Sequence, residues 1–307
     1  MIYLALLEAE LPLLLYSICF IFGLLIGSFL NVVIYRLPIM MQREWESQAN
    51  EILSETPDVP WGDSGDSAAD APDKEKHQAE PFNLVLPNSR CPHCGHKIKP
   101  WENIPLLSFL FLKGQCAECD AEISIRYPIV ELATGILTVI VIWQLGANMT
   151  GLMASVFTWA LICLALIDFD HTLLPDDITL PMLWLGLICN YFGLVSDFSS
   201  AFWGAVAGYV SLWTVFQVFR LVTGREGMGY GDFKMLAMLG AWLGWQQLPL
   251  IIILSSLAGA VIGGLLIATG RDKSHPIPYG PFLAIAGWVS LIWGSLITDT
   301  YLKFAAF

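Results

Sequence analysis

Long apolar runs separated by short polar breaks dominate the chain. A helix needs about 17–25 mostly apolar residues to cross the hydrocarbon core of a bilayer. Such runs occupy 11–35, 129–147, 151–167, 178–196, 200–221, 233–246, 247–269 and 279–300. They predict an all-α polytopic membrane protein with about eight transmembrane helices. The break from Trp242 to Pro249 reads as a tight turn, and a single re-entrant helix over 233–269 is the alternative. The first run has no basic segment before it, only Glu8 and Glu10, and it exceeds the h-region of a signal peptide. It is expected to remain as a membrane helix. One long polar stretch, 36–128, interrupts the pattern. The expected organisation is a first transmembrane helix over 1–35, a polar insert over 36–128 and a core of about seven helices over 129–307.

The few basic residues orient this pattern. If the N-terminus faces out and the runs alternate, 14 of the 15 Lys and Arg residues fall inside, and Lys303 alone falls outside. The positive-inside rule then places the insert in the cytoplasm. The short outer connections near 148, 197 and 247 carry no Lys or Arg.

Composition agrees. Of 307 residues, 56% are hydrophobic and 14% charged, against about 25% charged in soluble domains. The net charge of −12 argues against nucleic acid, which calls for a basic footprint. The charge is also concentrated. Residues 41–80 hold eleven Asp or Glu against three Lys or Arg, a net −8 in forty residues. This acidic stretch reads as a flexible linker or a loosely held helix.

The rest of the insert, 81–128, carries different chemistry. Cys91-Pro92-His93-Cys94-Gly95-His96 is followed by Cys116-Ala117-Glu118-Cys119, with 21 residues between the two CxxC units. Each CxxC lets two thiolates approach one ion from a tight turn, and four sulfurs in tetrahedral geometry suit Zn²⁺. The four cysteines are the expected ligands, with His93 and His96 as substitutes. Two disulfides are the alternative, disfavoured in a reducing cytoplasm. Four protein ligands leave no open position, so the zinc would be structural and would fold a small zinc knuckle. Cys19, Cys163 and Cys189 sit singly within apolar runs and read as small buried residues.

Ionisable groups in or beside membrane spans are candidates for function, because they are costly there. Two clusters stand out on the inner side: Ile167-Asp168-Phe169-Asp170-His171 with Leu174-Pro175-Asp176-Asp177, and Gly227-Met228-Gly229-Tyr230-Gly231-Asp232-Phe233-Lys234. The alternation of spans puts Asp168 and Asp232 at one depth. Asp170 would face water, and Asp176 or Asp177 would cap the next helix. Asp232 could equally be a cap, but Gly229 and Gly231 bare the backbone so that an extended peptide can lie against it. Two facing carboxylates share one proton and can cleave a peptide bond by activating water.

Together these residues resemble a known family. Gly229-Tyr230-Gly231-Asp232, the distant Asp168, the double CxxC and Gly27-Ser28-Phe29-Leu30-Asn31-Val32-Val33-Ile34-Tyr35-Arg36-Leu37-Pro38 are similar to type IV prepilin peptidase. Arg126-Tyr127-Pro128-Ile129-Val130-Glu131 and Pro276-Ile277-Pro278-Tyr279-Gly280-Pro281 extend the likeness over nearly the whole chain. The resemblance implies a Gly-x-Gly-Asp aspartyl protease of the bacterial inner membrane, with Asp168 and Asp232 catalytic. It implies prepilin and pseudopilin substrates, whose basic leader is removed at the cytoplasmic face. It also implies N-methylation of the new N-terminus with S-adenosylmethionine. Nothing in the residues locates the methyl donor. Segment 27–38 and the zinc region are the candidates, but close helix packing explains Gly27 and Ser28, and a helix-end cap and anchor explain Asn31 and Arg36, at least as well. Three readings compete with the bifunctional enzyme: a peptidase whose zinc module only positions substrate, a proton- or cation-coupled transporter using the two acids, and a membrane scaffold with a zinc knuckle. A transporter calls for repeats and mid-membrane acids, and the chain shows neither. A scaffold leaves the glycine-flanked Asp232 unexplained.

Overall fold

The computed structural model describes residues 10–55, 82–269 and 277–305. Residues 56–80 of the acidic stretch lie outside them. Eight long helices follow in order: α1 Pro12–Glu55, α2 Arg126–Leu145, α3 Met149–His171, α4 Asp176–Tyr191, α5 Phe198–Thr223, α6 Tyr230–Leu243, α7 Leu248–Ala268 and α8 Gly280–Ala305. Each apolar run meets one of them. Among the described residues no strand occurs, and the insert holds two isolated bridges, Arg90 to Lys97 and Gln115 to Glu122.

Six of the eight are long and apolar enough to cross a membrane. The expectation of about eight crossings is met by length in those six alone. Helix α4 has 16 residues and α6 has 14, roughly 24 and 21 Å at 1.5 Å per residue, against a hydrocarbon core of about 30 Å. The segment 233–269 is two helices and not one re-entrant helix: Gly244, at φ +83, and a single 3₁₀ turn, Trp245–Gln247, separate α6 from α7.

Helix α1 runs well past the end of its apolar segment. Residues 39–55 are mostly good helix formers, and i,i+4 side-chain bonds support them, Gln42 Nε2 to Glu46 at 3.1 Å and Gln48 Nε2 to Glu44 at 3.4 Å. The first part of the acidic stretch is therefore helical. Asn148 caps α3 through the Gly151 N–H at 3.1 Å, and Asp197 caps α5 through Ser199 at 3.0 Å.

Helix α6 is the centre of the molecule. From Met235 to Leu243 every residue is buried, as expected of a helix apolar on all faces. Trp242 stacks on Phe157 with ring centroids 4.5 Å apart, and its Nε1 donates to the Met182 carbonyl at 2.8 Å. The last carbonyls of α6 are met by one amide: Asn190 Nδ2 donates to Ala241 at 2.8 Å and Trp242 at 2.9 Å. Against α5 the backbones nearly touch, and a Cβ placed on Gly240 would lie 2.1 Å from the Gly204 carbonyl oxygen. Between lipid-embedded helices, such close approach is the main source of association. Gly240→Ala should therefore cost about 1–3 kcal/mol by overpacking. Gly264→Ala, with nothing within 4 Å of the new methyl, should leave the detergent-solubilised melting temperature unchanged or slightly higher.

Candidate active site and metal centre

The last turn of α3 and the first turn of α6 carry the two buried aspartates, Asp168 at 5% exposure and Asp232 at 8%. Asp168 is close enough for its charge to act on Asp232. Helix α3 stops because Thr172 turns left-handed (φ 51, ψ 40), its N–H returning to the Asp168 carbonyl at 2.8 Å. The N-cap of α6 is Gly229, so Asp232 is the third helical residue rather than the cap, and its carboxylate turns back to the Gly229 backbone.

A third element completes the site. The N–H of Gly280, the first residue of α8, donates to Asp168 Oδ2 at 2.8 Å. A Cβ there would sit 2.6 Å from that oxygen, so only glycine lets the helix start come this close. The preceding Tyr279 anchors the segment, its hydroxyl lying 2.7 Å from Ser255 Oγ on α7. Leu174 fills the space between: a Cβ on Gly231 would lie 2.8 Å from the Leu174 Cβ, and Leu174 also borders Gly280. Gly231 is thus committed to packing, while beside Gly229 the nearest contact is Asp232 Oδ2 at 3.9 Å.

Two ion pairs brace these turns. Arg126, opening α2, pairs with Asp170 through both guanidinium nitrogens, NH1 at 2.9 Å. Asp170 therefore meets Arg126 rather than water alone. Lys234 pairs with Asp176 at 2.7 and 2.8 Å. Pro175 is the N-cap of α4, with Asp176 and Asp177 in its first turn.

The insert gathers the sulfurs of Cys91, Cys94, Cys116 and Cys119 within 4.8 Å of one another. Tetrahedral zinc–thiolate bonds of 2.3 Å put sulfurs about 3.8 Å apart. Cys91 and Cys119 are separated by 3.8 Å, and Cys94 and Cys116 by 4.0 Å, so the four fit one metal ion. The two knuckles share one local design. The N–H of Gly95 returns to the Cys91 carbonyl at 3.0 Å and that of Asp120 to Cys116 at 3.1 Å. Both turns need a left-handed residue, Gly95 at φ +74 and Asp120 at φ +55. Backbone N–H groups of Cys94 and His93 pull the Cys91 thiol down to about 6, toward the thiolate a metal requires. His96 is engaged elsewhere, Nε2 with Glu102 at 2.9 Å and Nδ1 facing Glu118 at 3.4 Å.

Segment 27–38 joins the insert to the membrane helices. Arg36 donates to the carbonyls of Asn83 and Pro87 at 2.9 and 2.6 Å, and Asn31 Nδ2 to that of Tyr127 at 3.1 Å. A Cβ on Gly27 would lie 2.7 Å from the Glu131 Cα, so close packing accounts for that glycine.

Comparison with known proteins follows the same division of the chain. The bacterial peptidase A24 N-terminal domain matches residues 21–145, and the type IV leader peptidase family matches 155–264. A prepilin leader peptidase/N-methyltransferase of Stutzerimonas stutzeri is 56% identical over 286 residues, 93% of each chain. Proteins of the same name are 55% identical in Pseudomonas aeruginosa, over 93% of this chain and 92% of that one, and 50% in Aeromonas hydrophila, over 95% of each. The chain belongs to the prepilin leader peptidase/N-methyltransferase family. No solved structure matches it significantly.

In this family member, sequence reasoning missed Gly280 and Leu174 as parts of the constellation. A hydrogen bond from a backbone N–H over 112 residues of separation leaves no local trace beyond a glycine between Tyr279 and Pro281. The metal centre yields a direct test. Elemental analysis of purified full-length protein should find about one metal ion per chain, as one tetrahedral cluster of four thiolates requires. Cys91→Ser or Cys116→Ser should lower that content sharply, whereas His93→Ala and His96→Ala should retain it.

Proposed function

We propose that the chain is a membrane aspartyl endopeptidase that removes the basic leader of type IV prepilins and pseudopilins, then N-methylates the new N-terminal residue. The observation that carries this reading is that Asp168 and Asp232 are both buried, at the end of α3 and the start of α6, with the charge of Asp168 acting on Asp232. Two carboxylates this close hold one proton between them. The ionised member takes a proton from water, and the oxygen of that water bonds to the scissile carbonyl carbon. The protonated member supports the developing oxyanion and then gives its proton to the leaving amine. The pair acts as a unit, so acid and base are not assigned to single residues.

Gly280 holds Asp168 by its N–H, and the Lys234–Asp176 pair holds the first turn of α6. The opened backbone at Gly229 offers room for an extended substrate beside Asp232. The positive-inside rule supports a bacterial inner membrane orientation with the insert and both aspartates cytoplasmic and the N-terminus outside. There, a substrate helix held in the bilayer presents its leader at the membrane surface. The four cysteines would hold Zn²⁺ as a structural ion, supplying fold rather than chemistry. S-adenosylmethionine would supply the methyl group.

A second reading, peptidase activity alone with the zinc module positioning the substrate, draws on the ties between the insert and the membrane helices, Arg36 to the Asn83 and Pro87 carbonyls and the Leu106 N–H to Glu131. One assay separates the two. Membranes carrying the protein are incubated with a prepilin and radiolabelled S-adenosylmethionine. Wild type should shorten the prepilin and label it, and cleavage without label would leave the peptidase reading alone. Asp168→Asn and Asp232→Asn should each abolish shortening, and cleavage retained in either would overturn the dyad. Gly280→Ala should lower the cleavage rate about 10²-fold, the cost of a roughly 1 Å misplacement, with metal content unchanged.

A further inference from the structure

Between the two knuckles a 3₁₀ turn, Pro100–Asn103, is followed by one α-helical turn, Leu107–Phe111, that buries none of its residues. Leu107, Leu110 and Phe111, spaced i, i+3, i+4 on one face, are 51%, 69% and 82% exposed. Phe109 alone turns back, its ring edge 3.0 Å from where a Cβ on Gly114 would stand. In a module surrounded by water, such an apolar face calls for a partner.

The position of the turn identifies that partner. The N–H of Leu106 donates to Glu131 Oε2 at 2.9 Å. Glu131 lies in the second turn of α2, five residues beyond Arg126, about 7.5 Å along the axis. Helix α2 is one of the six apolar helices fit to cross a membrane, and its span starts at Arg126. The Arg126–Asp170 pair marks the polar boundary of that span. The bond to Glu131, itself buried against α1, therefore pins the turn level with the first turn and a half of a membrane-crossing helix, with its apolar face exposed. The bond comes with backbone strain: Leu106 sits at φ 59, ψ −45 and Lys113, closing the other side, at φ 52. Such conformations are rare for bulky residues and persist only where the surroundings enforce them. The flanking chemistry is interfacial. Trp101 is 64% exposed and lies beneath the Lys99 ammonium at 5.6 Å, and Lys113 follows Phe111 by two residues. Aromatic and Lys side chains together favour the headgroup level.

We infer that Leu107–Phe111 is a membrane wedge. Leu107, Leu110 and Phe111 enter the boundary between headgroups and acyl chains beside α2, and Lys99 and Lys113 face the phosphates of the same leaflet. The partner is the bilayer that the helices already cross. The wedge adds a direct lipid contact to the covalent ends and hydrogen bonds that already tie the metal-binding insert to the membrane helices, and so holds it flat against the surface.

The test reads lipid contact and not catalysis, so it stands apart from the peptidase reading. An environment-sensitive fluorescent amino acid is placed at 107 or at 110 in the full chain, in vesicles of phosphatidylcholine and phosphatidylglycerol. Residue 51, exposed on the polar extension of α1, is the aqueous control, and residue 253, exposed on α7, the lipid control. Each variant is first checked for retained metal, and the two wedge positions back each other up if one fails to fold. Probes at 107 and 110 should lose fluorescence to phosphatidylcholine spin-labelled near its headgroup and resist aqueous iodide, as at 253. Quenching by iodide as at 51 would overturn the wedge. Protection from both quenchers would show a protein cover and overturn it equally.

Discussion

The site rests on one close approach: the start of α8 against the carboxylate of Asp168. A backbone N–H at 2.8 Å meets the buried acid, and the absence of a side chain at Gly280 is what permits it. Burying a carboxylate without a partner is costly, and this bond is part of what makes the burial tolerable. The same economy of side chains brings α5 onto α6 at Gly204 and Gly240. In lipid, apolar surface gains little by leaving its surroundings, so helices associate through contact and hydrogen bonds instead. Small residues at crossing points set how near the two aspartate-bearing turns can come.

The electrostatic arrangement around that contact is layered. The two aspartates are buried, while the charges that brace them, Arg126 with Asp170 and Lys234 with Asp176, are partly exposed. Partly exposed ion pairs contribute little stability. Their value here is geometric, since each joins a turn bearing one aspartate to a neighbouring helix. Arg36 of α1 holds the insert through the Asn83 and Pro87 carbonyls and Asn31 ties α1 to Tyr127 of α2, so the insert is joined to the same helices that Arg126 links to the Asp168-bearing α3.

Local features were legible in the chain. The double CxxC is a matter of spacing, and its knuckles close through bonds that span four residues. Apolar runs declare helices because hydropathy and length are one-dimensional properties. The limits are equally physical. Helix α1 extends to Glu55 because helix propensity outlasts apolarity, and a hydropathy reading stops where the polar residues begin. Helices α4 and α6 look like spans by composition, but Pro175 at the start of one and Gly229 and Gly244 at the ends of the other leave them short, and α6 alone is buried along most of its length. The expectation that Asp170 faces water followed from helical periodicity alone, which carries no information about Arg126 arriving from another segment.

Taken alone, the sequence determined the helices, the cluster of four thiols and the two acids at helix ends, since each depends on residues near one another in the chain. Tertiary structure decided the rest. It brought α8 to Asp168, placed Leu174 between two glycines, turned His96 toward Glu102 and away from the cysteines, and hung an apolar turn beside Glu131. Each of these joins residues whose meeting is set by how helices cross, and crossing depends on which backbones can touch, a property that no single stretch of sequence encodes.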